Sequence, residues 1–247
     1  VPAEAATTPN RPTAKPMAVY LVDKPNAAQS EIRIGHPGAA RSVDPDFYAL
    51  QVCMTALGGQ FTSRVNLNLR EKHGFTYGAR SGISYRRGPG PLMASAGVFT
   101  AKTDSSLVEF LNELKDIRGP RPLTAEETES ARNAIVRGYP RRFETTEATI
   151  GVLADLALYG LPDSEISNFL SQVGRVKPED ATRVASKYVS PEHLAIVVEA
   201  ADRLLTRKAS VLGRETAPRR RRQKAYALLA RHGFSPDVIA AALGRDV

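Results

Sequence analysis

The sequence is poor in the residues that build cross-linked or metal-held scaffolds. Its 247 residues contain one cysteine, four histidines and no tryptophan. A single cysteine excludes an internal disulfide and any zinc site built on several thiolates. Cys53 lies in the apolar run Phe47–Leu57 and reads as a small buried hydrophobe rather than a reactive thiol. Long apolar runs are missing as well. None approaches the roughly 18–20 residues needed to span a bilayer. No secretory leader is visible, and a chain opening on Val1 reads as a fragment or a processed form.

Acidic residues are outnumbered, 26 Asp and Glu against 34 Lys and Arg, for a formal charge of +8. The excess is concentrated. Residues 218–247 carry seven basic side chains (Arg219, Arg220, Arg221, Arg222, Lys224, Arg231, Arg245) against Asp237 and Asp246, a net +5. The first 217 residues hold the remaining +3, an ordinary balance that leaves no nucleic-acid footprint there. Hydrophobic residues make up 42%, enough for one large domain or two small ones.

Residues 1–16, rich in Pro, Ala and Thr, read as a linker. Ala18–Asp23 and Ser30–Gly35 read as strands with a turn at Lys24–Ala27. Asp44 suits an N-cap and Pro45 a first helical turn. Phe47, Leu50, Met54 and Leu57 then fall on one helix face, closed by Gly58-Gly59. Ser63–His73 is a shorter helix ending at Gly74. Tyr77–Tyr85 and Leu92–Val98 alternate as two strands joined by the turn Arg87–Pro91. Leu107, Phe110, Leu111 and Leu114 stripe a helix, and Thr124–Glu127 is a capping box for the next. Helices over 145–159, 163–173 and 177–188 precede a strand over 193–198. This order predicts an α+β domain, residues 17–201, with helices packed on one face of a mostly antiparallel sheet. Residues 202–217 read as a second linker and 218–247 as a basic helical hairpin.

A search for chemistry finds little. His36, His73, His193 and His232 include no pair at the helical spacing of a zinc-peptidase motif. His36, before Pro37-Gly38, reads as a loop residue at a strand end, and His73 as a helix C-terminal residue. No nucleophile elbow occurs, and Gly58–Ser63 lacks the lysine of a phosphate loop. One constellation remains. Arg70 sits near a helix end and Tyr77 opens a strand after the Gly74 break. Both are strong donors that could converge on a backbone carbonyl. Without a family, the ordinary readings are a solvated arginine and a half-buried strand tyrosine.

The runs Gly58-Gly59-Gln60-Phe61-Thr62-Ser63-Arg64 and Leu69-Arg70-Glu71-Lys72-His73-Gly74-Phe75-Thr76-Tyr77 are similar to the C-terminal, zinc-free domain of M16 (pitrilysin-like) metallopeptidases. Val19–Pro25, Arg33–Gly38, Arg86–Pro91 and Pro140–Thr145 resemble further family motifs in the same order. The resemblance implies a LuxS/MPP-like metallohydrolase-type fold. It also implies an element that does not hydrolyse peptides alone, with zinc supplied by a zinc-bearing M16 domain or subunit and an unfolded peptide as substrate. Arg70 and Tyr77 match the pair that grips the substrate backbone and helps stabilise the tetrahedral intermediate, and the opening strand resembles an edge for peptide addition. The likeness to bacterial members suggests the periplasm. A non-catalytic assembly module, as in respiratory core subunits, is the other function the fold implies. Residues 219–247 resemble the C-terminal repeat of RecX, which would imply RecA or nucleic acid as a partner of the tail.

Overall fold

A computed structural model describes residues 15–24, 27–42 and 45–200. The expected linkers (1–16 up to residue 14, and 202–217), the basic hairpin 218–247, the Asp44 cap and the centre of the 24–27 turn lie outside the described residues.

Five strands form one sheet: β1 (Ala18–Asp23), β2 (Gln29–Pro37), β3 (Thr76–Ile83), β4 (Pro91–Phe99) and β5 (Ala195–Ala200). Their spatial order is β1-β5-β2-β4-β3. Only β1 and β5 run parallel, so the sheet is mostly antiparallel, as expected. The first two strands are not neighbours, because β5 inserts between them.

The helices are α1 (Pro45–Met54), α2 (Arg64–Asn66), α3 (Thr103–Asp116), α4 (Ala125–Gly138), α5 (Thr146–Tyr159), α6 (Ser164–Arg175) and α7 (Pro178–Tyr188). They cover one sheet face. Ser30, Ile32, Ile34 and His36 of β2, and Leu92, Ala94, Ala96 and Val98 of β4, are buried beneath them. The alternate positions, among them Arg33, Met93 and Phe99, are exposed on the other face. This alternation follows from the two-residue period of a strand.

Helix α1 departs from the expected single apolar face. Asp46–Leu50 and Val52–Met54 are all buried, because α1 runs between the sheet and the outer helices α4, α6 and α7. A helix buried all round shows no amphipathic stripe. Cys53 is fully buried there, and burial pushes its thiol up to about 12, which makes it inert.

Asp46 anchors α1 to α7. It accepts hydrogen bonds from Lys187 (2.6 Å), Tyr188 (3.1 Å) and Arg183. Burial opposes its charge, but these three donors outweigh burial and hold the carboxyl down at about 2, against 3.8 for a free side chain. The folded-state pKa is depressed, so this stabilisation is complete above about pH 4 and is lost as pH falls through 2. The cationic partners are half-exposed, and screening leaves about 1–2 kcal/mol. In urea titrations, Asp46→Asn is therefore expected to be less stable than wild type at pH 5. The gap should close as pH approaches 2, and a gap independent of pH would refute the assignment.

Beyond Met54 the helical run continues as a π turn, Thr55–Gly59, that brings Gly58 against β3. A Cβ built on Gly58 would lie 2.2 Å from the Ser81 backbone nitrogen and 2.3 Å from its Oγ. Only glycine permits that approach. Gly58→Ala is expected to cost about 3 kcal/mol through displacement of β3, read as a lower urea midpoint.

Candidate functional site

The site is built where the helical layer hands the chain to β3. After α2 a second π turn, Leu67–Lys72, carries Arg70 in its last turn. Such wide turns are uncommon and cluster at functional positions. The run ends with His73, as expected, and Gly74 reverses the chain at φ 62°. The Gly74 N–H donates to the Arg70 carbonyl (3.0 Å), and the Phe75 N–H to that of Leu69 (2.8 Å). The left-handed glycine turn thus fixes the start of β3 relative to Arg70.

Strand alternation places Tyr77 on the same face as Ala79 and Ser81. In the structure Ala79 and Ser81 are buried and Tyr77 is 79% exposed. The cause is a β-bulge. Thr76 pairs with Val98 and Ala79 with Ala96, so three steps on β3 oppose two on β4. Thr76 Oγ1 locks the bulge by donating to the Gly97 carbonyl (2.6 Å) and accepting from the Gly78 N–H (3.0 Å). A bulge re-aims one side chain without breaking the ladder, a device common beside functional sites. Tyr77 leaves the core, and its ring meets Phe99 edge-on, with centroids 5.9 Å apart.

The Arg70 guanidinium lies 4.2 Å above the Phe61 ring, a cation–π stack, with one amino group 2.9 Å from the Glu71 carboxylate. Its side chain is 32% exposed. Among the described residues no hydrogen bond joins Arg70 to Tyr77. Each donor rests against its own exposed aromatic ring: Arg70, in the last turn of the π turn, on Phe61, and Tyr77, on the edge strand β3, against Phe99. Neither ring stands out in the sequence, since an exposed phenylalanine has no period of its own. Asn66 is a third participant that the sequence does not mark. Its Nδ2 donates to the Phe61 carbonyl (2.6 Å), and its Oδ1 accepts from the Ala79 N–H (3.0 Å).

Arg64, in the same motif, faces inward instead. It donates to both Glu127 oxygens (2.6 Å each) and to the carbonyls of Arg121 (2.5 Å) and Pro122 (2.7 Å). Glu127 also completes the capping box of α4 with Thr124. Burial works against its charge, but the hydrogen bonds from Arg64 and the Thr124 N–H prevail and hold its carboxyl below the usual range.

His36 and His73 each have a place in the packing of the fold. His36 is in strand β2 rather than a loop. It is buried, its Nδ1 lies 2.9 Å from the Pro37 carbonyl, and its Nε2 accepts from the Ser190 N–H (3.2 Å). His73 stacks on Phe75. Among the described residues no three His, Cys, Asp or Glu side chains are placed to hold a metal ion.

The opening strand β1 is an edge, with Tyr20, Leu21 and Val22 exposed. It lies four strands from the β3 edge that carries Tyr77, roughly 19 Å at ordinary strand spacing. The exposed edge at β1 and the Tyr77 position are therefore separate places. No helix among the described residues is long and apolar enough to cross a membrane.

Residues 2–135 match the family model described as Peptidase M16 inactive domain. Residues 196–243 match a second, described as RecX, third three-helix domain. The first five residues of that second match are strand β5, paired on both sides within the sheet. A Bacillus subtilis protein named as a probable inactive metalloprotease, YmfF, is 24% identical over 169 residues, 68% of this chain and 38% of the relative. An uncharacterized zinc protease of Streptomyces coelicolor is 27% identical over 157 residues, 64% of this chain and 34% of the relative. The crystal structure of a peptidase M16 inactive domain from Pseudomonas fluorescens shares the fold, with a TM-score of 0.71 and 22% identity. That match covers 78% of this chain and 45% of the other. The chain thus spans between a third and two fifths of the length of these curated relatives.

Proposed function

Because this chain belongs to the family of the peptidase M16 inactive domain, we propose that it is the non-catalytic, substrate-binding element of a zinc peptidase. In this reading Arg70 and Tyr77 grip the backbone of an unfolded peptide, and the zinc belongs to another M16 domain or subunit. The observation that carries it is the bulge at Tyr77–Gly78. It takes a phenol that alternation from Ala79 and Ser81 would bury and presents it to solvent on the edge strand β3. With its ring out of the core, the Tyr77 hydroxyl is free to reach a partner outside the domain.

The chain's own residues supply binding and orientation. A guanidinium and a phenol donate hydrogen bonds to peptide carbonyls, and both gain strength where charge develops on oxygen. The Phe61 and Phe99 rings hold the two donors away from the core. The test is fluorescence anisotropy of the full chain with fluorescein-labelled, reduced and carboxymethylated lysozyme, a permanently unfolded polypeptide. Binding that weakens in Arg70→Ala and Tyr77→Phe supports the reading. Binding indifferent to both replacements would make the chain an assembly module that has kept the fold.

A further inference from the structure

We propose that Asn66 is a positioning residue that sets both halves of the candidate site at once, an inference that rests on the gripping role given above to Arg70 and Tyr77. Asn66 ends the short helix α2 and is buried. Its amide bridges two segments, the Phe61 loop and the start of β3. Nδ2 holds the carbonyl of Phe61, whose ring is the platform under Arg70. Oδ1 holds the N–H of Ala79, the first residue back in register after the bulge that lifts Tyr77. The chemistry fixes the amide's orientation. The Phe61 carbonyl can only accept and the Ala79 N–H can only donate, so nitrogen faces the first and oxygen the second.

A side chain at this position must therefore both donate and accept, across a short reach. Aspartate keeps the acceptor for Ala79 but turns an oxygen toward the Phe61 carbonyl. Alanine offers neither. The Ala79 N–H is buried and faces the interior edge of the bulge, where loss of its acceptor leaves an unpaired donor. The bulge has one other lock, Thr76, on its β4 side. Without Asn66 the Tyr77 segment keeps the Thr76 bonds and loses its side-chain bond to α2. The Phe61 loop loses its tie at the same moment, so Arg70 and Tyr77 lose their relative placement together.

The experiment uses the 15N-labelled full chain and two variants, Asn66→Ala and Asn66→Asp. By NMR, Ala79 amide exchange is expected to accelerate by about tenfold or more in Asn66→Ala and to stay slow in Asn66→Asp. The Phe61 ring signals should move in both variants, and those of Tyr77 mainly in Asn66→Ala. With the labelled, carboxymethylated lysozyme probe, Asn66→Ala should raise Kd by about tenfold in the native background. It should raise Kd by less than about twofold when Arg70→Ala and Tyr77→Phe are already present. Equal losses in both backgrounds would mean general damage and would overturn the inference. So would unchanged Ala79 exchange with unchanged Phe61 and Tyr77 signals. If Arg70→Ala and Tyr77→Phe leave binding untouched, the gripping role falls, and Asn66 is judged on exchange and ring signals alone. If Asn66→Ala does not fold, Asn66→Asp decides. A released Phe61 with a retained Ala79 bond supports the clasp, and no change at either refutes it.

Discussion

Replacing Arg70 with alanine is expected to lower kcat/KM by about 100-fold when the full chain is combined with a zinc-bearing M16 partner. That is the scale on which loss of one charge-stabilising donor is felt in acyl-transfer chemistry. Stability should barely change, because Arg70 is partly exposed and its partners, Glu71 and the face of Phe61, are themselves exposed. Arg70→Lys should recover little. Lysine keeps the charge but loses the planar fork and the stack on the ring. Tyr77→Phe removes a single neutral donor and should cost about tenfold. The measurement is hydrolysis of a fluorogenic peptide, with melting temperature read in parallel. Turnover that survives both replacements would sink the assigned roles, as would loss of turnover that merely follows loss of fold.

The opposite signature is expected at Arg64. Arg64→Ala should leave a folded but weakened domain, less stable by about 3 kcal/mol. Four hydrogen bonds disappear, the Glu127 carboxylate keeps only its capping bond from Thr124 among those described, and two carbonyls lose their arginine donor. Glu127 is one-third exposed, so water repairs part of the loss, and this places the figure at the low end for a broken buried pair. For a domain of this size the melting temperature should fall by roughly 6–12 °C. Arg64→Lys should recover less than half, since one ammonium cannot serve both carboxylate oxygens and two carbonyls. Arg64→Ala combined with Glu127→Ala should cost less than the sum of the single changes. An additive result would mean that the pair is not a unit. Together the two arginines make a sharp contrast. They lie six residues apart in one motif, and one is expected to govern turnover and the other stability.

Much of the architecture was legible residue by residue. Thr124 and Glu127 announced the start of α4, and the capping box is present as read. Gly74 announced the end of the helical run, and it adopts the left-handed conformation that only glycine takes without strain. Of the Leu107, Phe110, Leu111 and Leu114 stripe, Leu107, Phe110 and Leu114 are buried and Leu111 is partly buried at its margin. The misses share one cause. Helix α1 is buried on nearly every side, and a pattern read along one face cannot report cover on the others. His36 looked like a loop residue because Pro37 follows it, yet Pro37 is the last residue of β2 and the ring is bonded to Ser190, 154 positions away. The alternation of β3 put Tyr77 with Ala79. The register shift that separates them is set by Thr76, Gly97 and Asn66, of which only Thr76 adjoins it in the chain.

The sequence by itself determined most of the elements, the mostly antiparallel α+β class and, through its motifs, the family, and it nominated Arg70 and Tyr77 for the proposed site. Local chemistry suffices for these, because caps, glycine stops and two-residue alternation act within a few positions. The tertiary structure alone decided which motif residues face inward and which face out. Arg64 and Arg70 are indistinguishable as letters. One is enclosed by Glu127 and two carbonyls, the other rests on Phe61 at the surface. That difference arises from contacts across the fold, where burial makes an unpaired charge costly and so fixes which arginine must be paired.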